Sequence, residues 1–130
     1  MSIKYCCLLA AAAVVGCAST GTSGGNRVDP NVLSAAEMAE HHADVNTAYD
    51  AVARLRPNWL APHGPVSSTA SSYPTVFVDG QLAGDLSALR NIPAYHVGAI
   101  RYYDVTQAGA RFGIRAGGGG ALEVTMQSPR

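Results

Sequence analysis

A small α+β domain is predicted by three features of the sequence. Ala121 to Met126 alternates apolar and polar residues at the period of a strand, Val45 to Leu55 repeats apolar residues at the period of a helix, and Asp79-Gly80 closes a β-branched run with a hairpin dipeptide. Together with the elements between them, these features imply a small mixed β-sheet covered by short helices. The 130 residues give room for one domain with a single modest core, and 14 glycines with 7 prolines imply many turns and short elements.

The first element is a leader. Residues 1–16 carry Lys4 in a short basic segment, then an apolar run from Tyr5 through Val15 that ends in small residues before Cys17, the pattern of an export signal. The apolar run is shorter than the roughly 20 residues of a spanning helix, so an uncleaved transmembrane anchor is the weaker reading. Val14-Val15-Gly16-Cys17 resembles the bacterial lipobox, in which a thioether-linked lipid is added to the cysteine and the leader is cut before it. That resemblance makes Cys17 the lipid attachment site and the membrane the first partner. Two or more acyl chains, palmitate among them, anchor stably where one chain binds reversibly. Ala18 stands where the sorting rule of double-membraned bacteria places no retention signal, which implies the outer membrane, facing the periplasm.

Loss of the leader takes Lys4, Cys6 and Cys7 with it. Eight arginines then face nine acids, a net charge of −1, which argues against binding a phosphate backbone, so no nucleic-acid partner is expected. No cysteine other than the lipidated one remains, so the domain must hold together by packing alone.

Residues 17–32 are read as the lipidated cysteine and a flexible tether, with Ala18 to Asp29 rich in Ser, Thr and Gly and able to reach about 20 Å. Residues 33–127 form the domain. Ser34-Ala-Ala-Glu37 is a capping-box pattern, flanked by Leu33 and Met38 as a hydrophobic staple, and starts a helix over Ala35 to His41. A second helix over Asn46 to Arg56 sets Val45, Ala48, Tyr49, Val52 and Leu55 on one face and Asn46, Asp50 and Arg54 toward water; Pro57 stops it. Ala61 to Pro74 is rich in Pro, Ser, Thr and Gly and reads as an exposed loop. Thr75 to Val78 and Gln81 to Ala83 form the hairpin around Asp79-Gly80. Asp85 caps a helical turn bearing Leu86 and Leu89, which ends before Pro93. A strand over Ala99 to Tyr103 leads to Asp104, which with Gln107 starts a helix to Arg111, stopped by Gly113. The last strand, Ala121 to Met126, is expected to be half buried, with Leu122, Val124 and Met126 inward and Glu123 and Thr125 outward.

Phe77-Val78-Asp79-Gly80, the segment Leu86 to Pro93, the strand around Ile100, Arg111-Phe112-Gly113 and the run Gly119 to Thr125 together resemble the plug domain of TonB-dependent outer-membrane receptors. Ala48 to Leu55 with Arg56-Pro57 matches an earlier helix of that family, so the resemblance spans about Leu33 to Met126. Two departures shape what it implies. Tyr102, Tyr103 and Asp104 stand where the family carries a Val-x-Arg-Gly-Pro run. The family's barrel of about 22 strands also needs more residues than this chain contains. The resemblance therefore implies a free-standing plug-like module that binds or assembles, in the company of an envelope protein complex, without catalytic residues and without a cofactor.

Candidate sites are few. His41, His42 and Asp44 are the one cluster of metal-type ligands and support a second class of function, a small metal-dependent or hydrolytic envelope enzyme. The structural reading, exposed histidines at a helix C-terminus, is favoured, and no metal site is assigned. His63 and His96 have no carboxylate or cysteine at ligand spacing. Gly117 to Gly120 precede a strand and no lysine follows, so they read as a tight turn and not a phosphate loop. Ser67, Ser68, Ser71 and Ser72 lack a fixed base. Among the aromatic residues Trp59 and Tyr73, beside the loop from Ala61 to Pro74, are the expected partner contacts, because loops on rigid scaffolds carry recognition.

Overall fold

The computed structural model describes residues 28–64 and 71–128. Five strands form one mixed sheet in the order β1-β4-β5-β2-β3: β1 Val32–Ser34, β2 Thr75–Val78, β3 Gln81–Gly84, β4 Val97–Tyr103 and β5 Ala121–Met126. Three α-helices, α1 Ala35–Glu40, α2 Ala48–Leu55 and α3 Val105–Phe112, are joined by short 3-10 turns. The fold class is α+β, as the sequence implies.

Strand alternation sorts side chains onto two faces. Leu33, Val76, Ile100, Leu122 and Val124 point to one face, where Met38, Val45, Ala48, Ala51, Val52, Trp59 and Leu89 close the larger core. Phe77 and Ala121 point to the other, where Ala108, Phe112 and Ala116 cover them. Because helices lie on both faces, β5 is buried along Ala121 to Val124 and is not the half-buried strand expected from its alternation. Its place between β4, antiparallel, and β2, parallel, explains the difference. A polar residue in such a strand must find partners inside the protein. Glu123 is 8 % exposed and is paired on the second face.

The first and third helices start where their caps predict, while α2 starts at Ala48, two residues later than expected. Ser34 Oγ accepts from the Glu37 amide at 3.2 Å, but the Glu37 carboxylate turns away to Arg56, accepting from Nη1 at 2.8 Å and Nη2 at 3.2 Å. The reciprocal box forms instead on α2: Thr47 Oγ1 accepts from the Asp50 amide, and Asp50 accepts from the Thr47 amide at 2.9 Å. Asp50, expected to face water, is thus turned back as a cap. Asp104 accepts from the Gln107 amide at 2.9 Å and starts α3.

Two segments differ from expectation. Val32, at the end of the expected tether, lies in β1, whose three residues pair with Arg101, Ile100 and Ala99. Pro57, expected only as a stop, leads a 3-10 turn, Pro57–Leu60, that buries Trp59. The loop from Ala61 to Pro74 is pinned at its base, where the His63 amide donates to the Ser72 carbonyl at 2.6 Å and Pro74 is fully buried.

Candidate functional site

A groove of about 530 Å³ opens between α1 and the start of β4. Met38, Val45 and Val97 line its floor and are buried, while Ala35, Ala39 and Ala94 line its walls. His42, Asn46, Tyr95 and Gln127 supply its polar rim. Each piece is held by the fold. The Ala48 amide donates to the Ile92 carbonyl at 2.8 Å and the Ala94 amide to the Asn46 carbonyl at 2.9 Å, fixing the loop before α2 against the turn before β4. Gln127 donates from its amide side chain to the Val97 carbonyl at 3.1 Å. Tyr95 is 72 % exposed and its ring meets His96 edge-on, with centroids 4.2 Å apart. An apolar recess with a few fixed polar groups suits the binding of an apolar or aromatic group.

Of the metal reading's three residues, His42 and Asp44 have side chains engaged in local structure, and His41 acts through its backbone amide. His42 Nδ1 lies 2.8 Å from the Ala39 carbonyl. Asp44 accepts from Arg54 at 2.7 Å in a surface ion pair. His41 is the C-cap residue of α1. Among the described residues no group of three or more His, Cys, Asp and Glu side chains is arranged to hold a metal ion.

The two aromatic candidates part company. Trp59 is 1 % exposed, stacks against Tyr102 with centroids 5.9 Å apart, and lies under the Arg56 guanidinium at 5.8 Å. It is a core residue and cannot contact a partner, a correction that follows from the 3-10 turn folding it inward. Tyr73 is 51 % exposed and stays accessible. His63 is held by the Asn58 carbonyl at 2.8 Å and tilts against Tyr102, so it too is structural. His96 packs against Tyr95 at the groove rim. Gly117 to Gly120 make the tight turn expected: Gly117 and Gly120 have φ of 66° and 85°, and a Cβ at Gly119 would collide with the Tyr73 carbonyl. Ser71 accepts from the Tyr73 amide; Ser67 and Ser68 lie outside the described residues, as does Cys17. No helix of the described residues is long and apolar enough to cross a membrane.

Sequence reasoning missed the polar cluster on the second face. Arg111 donates to Glu123 at two points, Nε to Oε2 at 3.0 Å and Nη2 to Oε1 at 2.9 Å, and the Tyr103 hydroxyl donates to Oε2 at 2.8 Å. Burial pushes the Glu123 carboxyl up, but the hydrogen bonds from Arg111 and Tyr103 and the charges of Arg111 and Arg101 outweigh it, leaving the pKa below the ordinary glutamate value. Burial and the bond to Glu123 raise the Tyr103 phenol. With every lone acid and base here engaged by its neighbour, the cluster fastens α3 to β5. The signal in the sequence was the acid in the middle of the last strand, twelve residues after an arginine, and it becomes readable only once β5 is known to be central.

The fold and groove define a small α+β domain with a recess suited to binding. Comparison of the chain with family models, with curated proteins and with solved structures finds no match.

Proposed function

We propose that this protein is a lipid-anchored lipoprotein of the cell envelope whose plug-like domain acts by binding and not by catalysis. The observation that carries the reading is the run Val14-Val15-Gly16-Cys17, placed directly after a basic and then apolar leader. A thioether lipid on Cys17 holds the domain at the outer membrane, on its periplasmic side, within the reach of the tether.

Support for the plug likeness comes from where its motifs fall. Asp79-Gly80 is the two-residue turn between β2 and β3, Leu86–Asn91 is a 3-10 turn, Arg111-Phe112-Gly113 ends α3, and Gly119-Gly120 leads into β5. The groove beside Met38 and Val97 is the feature such a module offers to a partner in an envelope complex, taking an apolar or aromatic side chain against its floor. No cofactor is assigned to this function.

The test uses the full chain in a double-membraned bacterium. Labelled palmitate is expected in the wild type and not in Cys17→Ser, and the wild type is expected in the outer-membrane fraction. An equally labelled Cys17→Ser variant, or an unlabelled wild type, contradicts the reading. The binding role is tested separately by Ala39→Trp, which fills the groove from an exposed helix position; capture of envelope partners should fall while secondary structure is kept.

A further inference from the structure

Charge is divided between the two sides of the sheet. Residues 35–56, which include α1 and α2 over the larger core, carry Glu37, Glu40, Asp44 and Asp50 against two arginines. Arg54 pairs with Asp44 and Arg56 with Glu37, and Glu40 is left with no ion pair among the described residues. On the other side, residues 105–122 hold Arg111 and Arg115 and no acid. The acids that border this stretch are engaged: Asp104 caps α3, and Glu123 is buried against Arg111. At the hairpin, Asp79 accepts from the Met126 amide, and Asp85 caps a turn whose Leu86 and Leu89 pack in the larger core. Arg115 is exposed and makes no ion pair among the described residues.

The turn Gly113–Ala116 pushes an apolar residue out beside that arginine. Phe112 and Ala116 are buried on either side of the tip, and Thr75 Oγ1 donates to the Ala116 carbonyl at 3.0 Å, so the turn is held at both ends. Ile114 at the tip is fully exposed to solvent. The adjoining outer side of α3 presents Thr106, Gln107, Gly109 and Ala110, all exposed and none aromatic. A stable protein partner needs a far larger patch, with aromatic or arginine anchors seated in pockets. A single apolar tip beside a cation suits a lipid surface, which takes apolar groups at its headgroup boundary and attracts arginine through its phosphates.

We propose that this side of the domain lies on an anionic membrane leaflet, with Ile114 entering the headgroup boundary and Arg115 meeting lipid phosphate. This rests on the proposed anchor at Cys17, which supplies the membrane. The entry point of the chain agrees with it. Arg101 shares a sheet face with its cross-strand partner Glu123, and pairs with Asp29 at 3.8 Å. The tether therefore joins the domain where the α3 face meets the edge strand β1. A tether that keeps this surface within about 20 Å of the leaflet lets a weak contact suffice. The acids of α1 and α2 then face away from the lipid, so charge orients the domain as well as drawing it in. The groove beside Met38 and Val97 belongs to the larger core's side and is turned outward, where a partner reaches it.

The experiment uses the full chain, recovered from membranes and reconstituted at low density into phosphatidylcholine vesicles with or without phosphatidylglycerol. Cys6→Ser and Cys7→Ser are made throughout. An environment-sensitive fluorophore is attached at Ala110→Cys on α3 or at Glu40→Cys on α1, and the signal of the parent chain is subtracted. With phosphatidylglycerol present, aqueous iodide should quench the label on α3 several-fold less than the label on α1. Ile114→Asp and Arg115→Gln, both at exposed positions, should each remove most of that protection with an unchanged circular dichroism spectrum. Vesicles without phosphatidylglycerol should weaken it. Equal quenching of the two labels, or protection that survives Ile114→Asp, would overturn the proposal. So would protection that rises with the number of chains per vesicle and not with phosphatidylglycerol, the mark of contact between proteins. The anchor is read separately by palmitate labelling: a chain held by an uncleaved leader still sits on the vesicles, so the two labels are compared however the chain is attached.

Discussion

Phe77 and Phe112 lie face to face, with ring centroids 3.9 Å apart and planes inclined by 11°. Phe77 comes from β2 and Phe112 from the last turn of α3, so this stack fastens the helix to the second face of the sheet. Tyr103 meets Phe112 edge-on at 5.6 Å and completes the cluster. Phe112→Ala should therefore cost about 3 kcal/mol of stability through lost burial and the cavity left behind. Tyr95→Ala, at an exposed position, should change stability by about 0.5 kcal/mol or less. Urea denaturation of the two variants measures both.

The glycines before β5 differ in what they tolerate. A Cβ at Gly120 would lie 2.6 Å from the Tyr103 carbonyl oxygen, at a φ of 85°, and one at Gly119 would collide with the backbone of Tyr73 and Ser72. At Gly80 nothing lies within 4 Å, although φ is 81°. Gly80→Ala should then cost only the backbone strain, about 1 kcal/mol, while Gly119→Ala should cost about 3 kcal/mol because backbone must move. Thermal unfolding should rank Gly119→Ala and Gly120→Ala well below Gly80→Ala.

Acid should weaken the fold through Glu123 and Asp50. Each is held below its ordinary value, 4.5 and 3.8 respectively. For Glu123 the bonds from Arg111 and Tyr103 overcome the opposing effect of burial; for Asp50 the side-chain and backbone bonds with Thr47 dominate. A carboxyl with a depressed pKa in the folded state contributes stability above its unfolded value and loses it as pH falls toward the folded one. Stability should accordingly be level above pH 4.5 and decline below it. Glu123→Gln should lower stability at neutral pH by about 1 to 3 kcal/mol, since Tyr103 and Arg111 lose an ionised acceptor, and should flatten the acid decline. Denaturation midpoints from pH 3 to pH 7 read both effects.

Of the two N-caps, Thr47 should matter more than Ser34. Thr47 Oγ1 and the Asp50 carboxylate serve each other's backbone donors, whereas Glu37 is drawn off to Arg56 and leaves Ser34 with half a box. Thr47→Ala should cost about 1 to 2 kcal/mol and Ser34→Ala about 0.5 kcal/mol by chemical denaturation.

Local signals were legible in the sequence wherever a residue acts on its near neighbours. Ser34 and Asp104 cap their helices, Asp79 and Gly80 turn the hairpin, and Ala48 and Val52 share the buried face of the second helix, because caps and periods are set within a few residues. What depends on distant strands was not legible. β1 exists because Leu33 and its neighbours pair with Ile100 and its neighbours, some 67 positions on, and three residues carry no period of their own. Glu123 looked solvent-facing because alternation reports only that two faces differ, not that a helix covers each. Trp59 looked available to a partner because the Pro57 turn that buries it is defined by packing on Tyr102. The groove joins α1, the turn at Ala94 and Gln127, and no local pattern announces it.

The proposed anchor at Cys17 is tested most directly by the intact mass of the protein recovered from membranes. The account predicts a chain that begins at Cys17 and carries a thioether-linked diacylglycerol, so its mass exceeds that of residues 17–130 by the lipid. A chain that keeps residues 1–16 with an unmodified Cys17 sulfur would contradict it.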